Sequence, residues 1–419
     1  METVKTMNLL IGIVFAAVYA YQFLYVPLSL LGKEKRKDVP LKEHRYAVLI
    51  CARNEEKVIG DLLDSLAAQN YPRELLDCYV MADNCTDATA SVAEAHGACV
   101  FERFDAVKRG KGYALDTLLK AVRQKAPGKY TGYFVFDADN LLAADYIRQM
   151  NRRVCEGCEL ITSYRNSKNY SHNWISAASA LWFLRESRYL NYPRHLCGSS
   201  GAVSGTGFYF SETVAAENDG WPYHLLTEDV EFSADQILKG RKVAFCKEAV
   251  LYDEQPVTLT DSFRQRLRWS KGFFQVFHRY GKELAAGSLK GSFACYDLLN
   301  TIMPAFVLSV VSLLLNGICL FASLKNTAVL RTVLQSQGMA FAGAYLTLFL
   351  CGLITTVSEW RKICAPAYKK ILYLFSFPVF MMMYLPISVL ALFTAVRWDP
   401  IPHSFTAGQF RRELRENGR

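Results

Sequence analysis

The chain has 419 residues, of which 51% are hydrophobic and 21% charged, and its formal net charge is +9 at pH 7. This length accommodates a catalytic domain of ordinary size together with several membrane-spanning helices. The positive charges concentrate beside long apolar segments and no nucleic-acid recognition motif is present, so no nucleic-acid partner is expected. Anionic headgroups and a nucleotide diphosphate are better partners for such a charge distribution.

The first long apolar segment lies near the N-terminus. Residues 8–31 form an uncharged run that is long enough to cross about 30 Å of hydrocarbon. A cleaved signal peptide would have a shorter apolar core and a small-residue cleavage site, which Ala17 to Ala20 imitate only weakly. We therefore expect residues 1–32 to be an N-terminal transmembrane helix that anchors the chain in a lipid bilayer.

Residues 33–290 form a polar region that carries nearly all the acidic residues. Short apolar runs within it predict strands that are buried on both faces: Tyr46–Cys51, Asp77–Met81 and Tyr133–Phe136. Polar loops and helical patterns separate these runs, as in a parallel sheet with helices on both faces. The predicted fold class is an α/β, Rossmann-like catalytic domain with a mostly parallel sheet, joined to an α-helical transmembrane domain.

Polar residues follow the predicted strands at the edge of the sheet where ligands bind in such folds. Arg53, Asn54 and Glu55 follow the first strand, and Asp83 and Asn84 follow the second. No GxGxxG motif follows any of these strands in the sequence, so a dinucleotide cofactor is unsupported.

Asp137 and Asp139 flank one small residue at the end of the third predicted strand, so both carboxylates can face one pocket. Hard oxygen ligands at this position suit Mg²⁺ or Mn²⁺, which would bridge the protein to substrate phosphates. The alternative is that an aspartate after a strand caps the next helix or forms a turn. The motif alone does not separate these interpretations.

Two segments have the periodicity of amphipathic helices. Residues 174–191 place apolar side chains on one face, which fits either a helix at the membrane surface or a core helix. Residues 260–280 combine aromatic and basic side chains, as an interfacial helix does. In the second segment Arg268 could hold a diphosphate by paired hydrogen bonds, and Trp269 offers a flat face to a sugar ring.

Thr227, Glu228 and Asp229 open another amphipathic segment. Thr227 fits an N-cap, and the two acids would favour the first helical turn through the helix dipole. A carboxylate held at a helix start can also act as a general base that removes a proton from an attacking hydroxyl. These two interpretations are compatible.

Residues 291–398 contain the remaining apolar segments and predict about three transmembrane helices. These segments are 298–323, 339–358 and 371–396. The basic residues that follow the first and the third span place the catalytic domain in the cytoplasm of a multi-pass membrane protein. They are Lys33, Lys35, Arg36, Lys37, Arg361, Lys362, Lys369 and Lys370.

The basic tail, residues 399–419, conflicts with this count of spans. Four crossings would place the C-terminus outside, whereas the arginines of the tail favour the cytoplasm. These arginines are Arg411, Arg412, Arg415 and Arg419. Either one apolar stretch is re-entrant or one splits into two crossings, and the sequence leaves both open.

The twelve cysteines are scattered along the chain, several of them in predicted spans or strands. This distribution is typical of buried thiols in a reducing compartment. Cys155 and Cys158 form a lone CxxC motif, and a zinc site would need a second pair.

The order of these motifs resembles that of the family 2 glycosyltransferases, in particular the membrane synthases of cellulose, hyaluronan, chitin oligosaccharides and poly-N-acetylglucosamine. A strand ending in Asp83 is followed by Asp137-Ala138-Asp139, Thr227-Glu228-Asp229 and Gln265-Arg266-Leu267-Arg268-Trp269, and then at once by membrane spans. The resemblance covers about residues 46–280. It implies a GT-A fold and an inverting hexosyltransferase or N-acetylhexosaminyltransferase. Such an enzyme passes a sugar from a UDP-sugar donor to a growing β-linked polysaccharide, with Mg²⁺ or Mn²⁺ as cofactor.

The resemblance also implies roles for individual residues. The donor-binding positions are Ala52, Arg53, Glu55, Asp83, Lys111, Asp137, Asp139, Gln265 and Arg268, and Asp137 and Asp139 also match the metal carboxylates. The acceptor-binding positions are Gly205, Thr206, Gly207 and Trp269. Asp229 matches the catalytic base, with Glu228 beside it. For each glycine alone, a flexible turn between strands is the alternative.

Two other functions stay open on the sequence. A non-processive transferase would add one sugar to a lipid carrier or glycolipid; the short membrane domain favours it, whereas the motif ending in Trp269 favours chain elongation. A transporter or receptor whose soluble domain only binds nucleotide would need no base, so Asp229 in register with the other motifs argues against it. Three C-terminal spans are fewer than cellulose synthase has, so a partner subunit or a homo-oligomer is considered for product export.

Overall fold

One eight-stranded sheet forms the centre of the catalytic domain. The computed structural model describes residues 2–34, 37–323 and 327–417. Lys35, Arg36 and Arg419, which carry part of the charge used to predict orientation, lie outside the described residues. The strands are β1 (Tyr46–Ala52), β2 (Leu76–Asp83), β3 (Cys99–Arg103), β4 (Gly132–Asp137), β5 (Leu141–Leu142), β6 (Leu160–Ser167), β7 (Phe208–Ser211) and β8 (Val243–Asp253).

The sheet has the strand order β3-β2-β1-β4-β7-β6-β8-β5. β3, β2, β1 and β4 are parallel to one another, and β8 is parallel to β6. β7 runs antiparallel between β4 and β6, and β5 pairs antiparallel with β8. The predicted mostly parallel α/β sheet is confirmed, and the three predicted strands each extend by one or two residues beyond their predicted ends.

Ten α-helices lie within the described residues up to Leu289, and those that pack on the strands cover both faces of the sheet. They are α1 (Glu2–Leu31), α2 (Ile59–Ala67), α3 (Thr89–Ala95), α4 (Lys111–Lys125), α5 (Tyr146–Cys155), α6 (Trp174–Glu186), α7 (Tyr192–Leu196), α8 (Glu212–Glu217), α9 (Glu228–Leu238) and α10 (Leu259–Leu289). Val48 and Ile50 of β1 belong to the core on the side of α2, and Leu49 to the core on the side of α4. Side chains that alternate between two buried faces explain why β1 is continuously apolar.

Apolar helices follow the catalytic domain. They are α11 (Phe293–Ile302), α12 (Pro304–Ser323), α13 (Thr327–Ser358), α14 (Ala367–Met382) and α15 (Tyr384–Phe393), and α16 (Ala407–Glu416) ends the described chain. In the described ranges, Thr6–Leu31, Thr327–Ser358 and Ala367–Phe393 are long and apolar enough to cross a membrane. The helix pair Phe293–Ile302 and Phe306–Ala322, bent by 46°, would make a fourth.

The predicted helix at residues 174–191 joins the two parts of the molecule. It ends as α6 at Glu186 and continues as a π-helical turn, Ser187–Asn191, and then as α7. Its apolar side chains share one buried cluster with Tyr164 of β6 and Phe377 of α14. α6 is therefore buried between the sheet and the apolar helices. It is a core helix on the side of the sheet, and it also adjoins the apolar helices, as a helix at the membrane surface would.

A buried carboxylate fastens the first apolar helix to the catalytic domain. Arg194 of α7 donates two hydrogen bonds to Asp297 of α11, at 2.6 and 2.8 Å. Tyr21 and Tyr25 of α1 donate to the same carboxylate, at 2.8 and 3.0 Å. A charge pair taken out of water needs such additional donors to offset its desolvation. The cluster fixes α1 and α11 relative to α7.

Candidate active site

Two carboxylates mark the carboxyl end of β4. Lys111, at the start of α4, donates a hydrogen bond from Nζ to the carboxylate of Asp137, the last residue of β4. The same ammonium donates to the carbonyl oxygen of Gly205 at 2.7 Å. Asp139 is 5% exposed, and its Oδ2 accepts a hydrogen bond from the backbone nitrogen of Glu254 at 2.7 Å. Asp137 thus meets Lys111 at the sheet edge where β1 and β2 also end, and Asp139 follows two residues later.

The two aspartates fit a divalent cation. Desolvation alone would raise the pKa of Asp139, but the charges of His403 and Lys168 bring this pKa below its ordinary value. The side chain of Asp137 is 36% exposed and stays accessible. Among the described residues no three His, Cys, Asp or Glu side chains form a complete metal site. A cation held here would therefore take its other ligands from substrate phosphates or water.

The loop Gly205-Thr206-Gly207 is fixed beside this aspartate pair. The φ angles of Gly205 and Gly207 are +75° and +67°, in the region that favours glycine. A Cβ on Gly207 would lie 1.9 Å from Cδ2 of Leu251, so a larger residue would overlap its neighbour. Thr206 Oγ1 accepts a hydrogen bond from the backbone nitrogen of Asp137 at 2.9 Å. The predicted acceptor loop is therefore attached directly to the end of β4.

The Thr227-Glu228-Asp229 motif forms the start of α9. Thr227 occupies the N-cap position, but in the described part of the chain its buried hydroxyl has no hydrogen-bond partner. The side chain of Thr227 therefore does not cap α9 by a hydrogen bond, although its position fits the N-cap interpretation. A Cβ built on Gly205 would lie 3.8 Å from Asp229 Oδ2, so this carboxylate lies beside the glycine loop.

The two acids of this motif have unusual protonation equilibria. Burial raises the pKa of Glu228, and the charge of Asp229 adds to the rise against the opposing charges of Lys111 and Arg268, to about 7. Burial also raises the pKa of Asp229 above its ordinary value. A carboxylate that titrates near neutrality can both accept and release a proton under working conditions.

The predicted Gln265–Trp269 motif lies on α10. Arg268 Nη1 donates a hydrogen bond to the carbonyl oxygen of Leu226 at 3.1 Å, immediately before the α9 motif. The ring of Trp269 meets the ring of Phe183 of α6 edge to face, with centroids 6.0 Å apart. Gln265 lies one helical turn before Arg268 and Trp269. The helix therefore brings a cation to the start of α9 and an indole ring to α6.

Other side chains of α10 contact the apolar helices, as the interfacial interpretation of residues 260–280 requires. Arg266 is buried, and its Nη1 donates a hydrogen bond to the carbonyl oxygen of Phe380 at 2.7 Å. Lys271 Nζ donates to the carbonyl oxygen of Ala391 at 3.0 Å. α10 thus lies between the candidate active site and α14 and α15.

Ala52 and Asp83, the next two predicted donor residues, end β1 and β2. Because these strands are parallel to each other and to β4, both residues lie at the same edge of the sheet as Asp137. Asp83 is 4% exposed and forms an ion pair with Arg103 at the end of β3.

The remaining predicted donor residues are covered by residues 398–406, which we call the C-terminal strap. The guanidinium of Arg53 lies 5.5 Å from the ring centroid of Trp398. His403 Nδ1 lies 2.9 Å from Oε1 of Glu55. Burial alone would lower the pKa of His403, but the charges of Asp139, Glu55 and Glu254 raise it to about 10. The strap therefore places a cation between predicted donor-binding carboxylates.

Backbone hydrogen bonds hold the strap in place. The carboxylate of Glu254 accepts hydrogen bonds from the backbone nitrogens of Ser404 and Phe405, at 3.0 and 2.9 Å. Asp61 of α2 accepts one from the backbone nitrogen of Ala407 at 2.7 Å. The described part of the basic tail, residues 399–417, is thus bonded to the catalytic domain and includes helix α16.

Comparison with known proteins identifies the family. Residues 44–272, more than half of the chain, match the model of the family described as "Glycosyltransferase like family 2". The chain belongs to this family. It is therefore an enzyme, a glycosyltransferase.

Several characterised or named relatives are similar to this glycosyltransferase. It is 24% identical over 261 residues to the probable glycosyltransferase YdaM of Bacillus subtilis, covering 57% of each chain. It is 24% identical over 240 residues to the beta-monoglucosyldiacylglycerol synthase of Synechocystis, covering 56% of this chain and 49% of the relative. It is 23% identical over 277 residues to the poly-beta-1,6-N-acetyl-D-glucosamine synthase of Staphylococcus aureus, covering 64% and 63%. The glycosyltransferase thus spans about half to two thirds of the length of these relatives.

A solved structure confirms the fold. The mannosyltransferase PcManGT from Pyrobaculum calidifontis, solved with GDP-mannose and Mn²⁺, superposes on the glycosyltransferase with a TM-score of 0.52. The superposition covers 92% of this chain and 98% of that one, at 16% sequence identity. The GT-A-type fold implied by the sequence is therefore correct.

Four residues at the site of the glycosyltransferase were missed by sequence reasoning: Lys168, Glu254, Trp398 and His403. Lys168 and Glu254 directly follow β6 and β8, so prediction of those two strands would have placed them at the binding edge. Trp398 and His403 follow the last apolar helix and offer no comparable signal. Their contacts join positions that lie more than 340 residues apart in the sequence.

Proposed function

We propose that this glycosyltransferase is a membrane-embedded, inverting enzyme that transfers a sugar from a UDP-sugar donor to a growing β-linked polysaccharide. The observation that carries the proposal is the convergence of Asp229, Lys111 and the Gly205 loop at the end of β4. One edge of the sheet thereby combines a candidate base, a cation for a leaving phosphate and a loop suited to an acceptor. The relative in Staphylococcus aureus is named for a polysaccharide product.

Asp229 is the base in the proposed reaction. Its carboxylate accepts the proton of the acceptor hydroxyl, and the hydroxyl oxygen attacks the anomeric carbon of the donor sugar. The bond between that carbon and the UDP oxygen breaks in the same step, and the electron pair leaves with UDP. A single displacement inverts the configuration, so an α-linked donor gives a β-linkage.

Positive charge in the same pocket stabilises the departing UDP. Lys111 and Arg268 are the side-chain cations whose charge reaches Glu228 and Asp229, and preorganised charge acts strongly in a partly buried site. Asp137 and Asp139 would hold Mg²⁺ or Mn²⁺, which supplies Lewis-acid stabilisation to a diphosphate when bound. Arg53 and Glu55, together with Ala52, Asp83 and Gln265, would bind the uridine end and the diphosphate.

A transferase that adds one sugar to a lipid-linked acceptor is the second candidate. The packing of α10 on α14 and α15 favours it, because an acceptor held in the membrane would reach the active site along these helices. The Synechocystis relative is named for a glycolipid product. The pairing of Trp269 with Phe183 favours the polysaccharide, since aromatic faces grip a sugar ring whatever the length of the chain behind it.

The length of the product decides between the two candidates. Purified protein is incubated with a panel of radiolabelled UDP-sugars at a low ratio of enzyme to acceptor, and the products are sized. We expect long chains while most of the acceptor remains unextended, and shorter products with Trp269→Ala. The matched variant Trp269→Phe keeps an aromatic face and should retain longer products than Trp269→Ala. A ladder limited to one added sugar at every donor concentration would replace the polysaccharide synthase with the single-addition transferase.

We also infer how the chain lies in the membrane, with the catalytic domain in the cytoplasm. At the start of α14, Lys369 Nζ donates to the carbonyl oxygen of Ser171 at 2.8 Å, within the catalytic domain. At the other end, four residues separate Phe393 from Trp398, which contacts Arg53. The five steps from Phe393 to Trp398 span at most about 17 Å, which is less than the roughly 30 Å of hydrocarbon. Both ends of the α14–α15 unit therefore lie on the catalytic side.

This arrangement leaves three crossings: α1, the bent pair α11–α12, and α13. The C-terminus then lies in the cytoplasm, in agreement with the basic tail. A green fluorescent protein fused to the C-terminus should fluoresce in bacterial cells, and an alkaline phosphatase fusion should be inactive. An active phosphatase fusion would place the C-terminus outside and overturn the arrangement.

A further inference from the structure

Glu186, the last residue of α6, lies beside the acceptor loop with most of its hydrogen-bonding capacity unused. Among the described residues, its carboxylate accepts one hydrogen bond, from Ser204 Oγ to Oε2 at a long 3.4 Å. Ser204 directly precedes Gly205 and its loop. A carboxylate can accept about four hydrogen bonds, so Glu186 can take further donors.

The two arginines whose charges act on Glu186 are paired with other acids. Arg165 donates a hydrogen bond from Nε to the carboxylate of Asp253. Arg194 donates two to the carboxylate of Asp297, at 2.6 and 2.8 Å. Each arginine therefore has its own buried partner, and neutralising them does not account for Glu186.

The base lies within electrostatic reach of Glu186. Burial raises the pKa of Glu186, the charges of Arg165 and Arg194 oppose this rise, and the charge of Asp229 adds to it. From the membrane side, Tyr384 of α15 interacts electrostatically with the same carboxylate. Glu186 thus interacts electrostatically both with the proposed base and with α15, one of the helices along which an acceptor would approach.

An aromatic wall adjoins this carboxylate. Phe183 precedes Glu186 by three residues, so both side chains project from the same side of α6. The guanidinium of Arg165 lies over the ring of Phe183, 3.6 Å from its centroid. The ring of Trp269 meets Phe183 edge to face. Trp269 offers an indole face to the apolar ring face of a sugar. Glu186 and Ser204 offer a carboxylate and a hydroxyl to its hydroxyl groups.

We propose that Glu186 is a positioning residue for the acceptor. Its carboxylate accepts hydrogen bonds from hydroxyl groups of the terminal acceptor sugar, and the ring of that sugar lies against Trp269. This contact turns the attacking hydroxyl toward Asp229. The proposal rests on the proposed transferase function and assigns the sugar end of the acceptor, whether free or lipid-linked, to this subsite. Donor binding falls to Lys111 and the other residues at the end of β4, so it does not depend on Glu186.

The test separates transfer to an acceptor from transfer to water. Glu186→Gln keeps the shape of the side chain and removes its charge, and Glu186→Asp keeps the charge on a shorter stem. Each is assayed with the UDP-sugar that serves wild type best, with a β-1,6-linked N-acetylglucosamine pentamer or octyl β-glucoside as acceptor. UDP release without acceptor and UDP affinity by calorimetry are measured in parallel. Glu159→Gln is the matched control, because Glu159 precedes β6 at the end of the strand that lies away from the candidate active site.

Loss of a hydrogen bond to a charged group predicts an acceptor KM roughly ten- to a hundredfold higher in Glu186→Gln. UDP affinity and UDP release to water should stay at wild-type levels, and Glu186→Asp should recover part of the loss. A wild-type acceptor KM in Glu186→Gln, or an equal loss of UDP affinity, would overturn the proposal. If wild type itself neither transfers nor hydrolyses any UDP-sugar, the proposed function fails instead.

Discussion

Replacement of Asp229 by asparagine tests the assignment of the base. Asparagine has nearly the same shape and cannot take up the proton of the acceptor hydroxyl. General-base catalysis contributes roughly 10²- to 10⁴-fold to a rate, which corresponds to about 3–5 kcal/mol of transition-state stabilisation. Asp229 lies beside Gly205, a proposed acceptor-binding residue, so UDP affinity should change little. We therefore expect kcat to fall by this factor while the Kd of UDP stays nearly constant.

The adjacent acid gives the same assignment a pH signature. The pKa of Glu228 is raised to about 7 by burial and by the charge of Asp229, so the pair loses its last proton as the pH rises through neutrality. At that pH the charge of Asp229 already acts on Glu228, so Asp229 is the first of the two acids to ionise and is available as the base below neutrality. Burial raises the pKa of Asp229, so the acid limb of the kcat profile should lie at higher pH than an exposed aspartate would give, and Glu228→Gln should leave that limb nearly in place.

Calorimetry of UDP binding and steady-state kinetics on the same preparations decide whether Asp229 is the base. Arg268→Ala is the comparison variant, because it removes a cation from the same pocket and should weaken UDP binding as well as turnover. If Asp229→Asn lost UDP affinity to the same degree as Arg268→Ala, Asp229 would belong to the donor site and the base would lie elsewhere. An acid limb that moves to lower pH in Glu228→Gln would show that the charge of Glu228 also acts on Asp229 and that the two carboxylates share a proton.

Three further substitutions test other parts of the site. Asp139→Asn should abolish transfer, as should excess EDTA on wild type until Mg²⁺ or Mn²⁺ is restored; full activity of purified protein in EDTA would refute the metal assignment. His403→Ala should weaken UDP binding by roughly tenfold, because Glu55 loses its charged partner, and an unchanged calorimetric Kd would separate the C-terminal strap from the donor site. Gly207→Ala should lower the free energy of unfolding by about 1–3 kcal/mol, because its Cβ overlaps Leu251, and an unchanged Tm would contradict this loop geometry.

The strands that the sequence predicted are those whose apolar runs are unbroken. β1 and β4 are buried on both faces, so almost every residue in them is apolar. β8 escaped prediction because Lys247 and Glu248 interrupt its apolar pattern. These residues lie where the register between β6 and β8 shifts, between Cys246 and Val250. β8 tolerates two charged residues at this irregularity, which the sequence pattern does not predict.

The residues that converge at the site were predictable where they follow those strands. Asp137 ends the predicted strand β4, whereas Lys111 begins α4 after β3, a strand that was not predicted, so only the resemblance suggested its role. The positive φ angle of Gly205 and its approach to Asp229 follow from the glycine loop, whose role only the resemblance suggested. Glu186 gave no signal, because a single acid at the end of an apolar helix is indistinguishable in sequence from a solvated end.

Apolarity alone also fails to separate a helix that crosses a membrane from one that lies along a protein. Ala367–Phe393 and Thr6–Leu31 pass the same test of length and composition, yet 33% of the apolar stretch is buried inside the protein in the first and 6% in the second. A helix surrounded by lipid buries little of itself, whereas a helix packed on a domain is covered along one side. A helix of 27 residues is about 40 Å long. It can therefore run from the start of α14, which contacts Ser171, to the C-terminal strap, which contacts Arg53. The same helical unit accepts hydrogen bonds from α10 and is followed by Trp398 and His403 of the C-terminal strap, so it joins the helix that carries the Gln265–Trp269 motif to the segment that contacts Arg53 and Glu55.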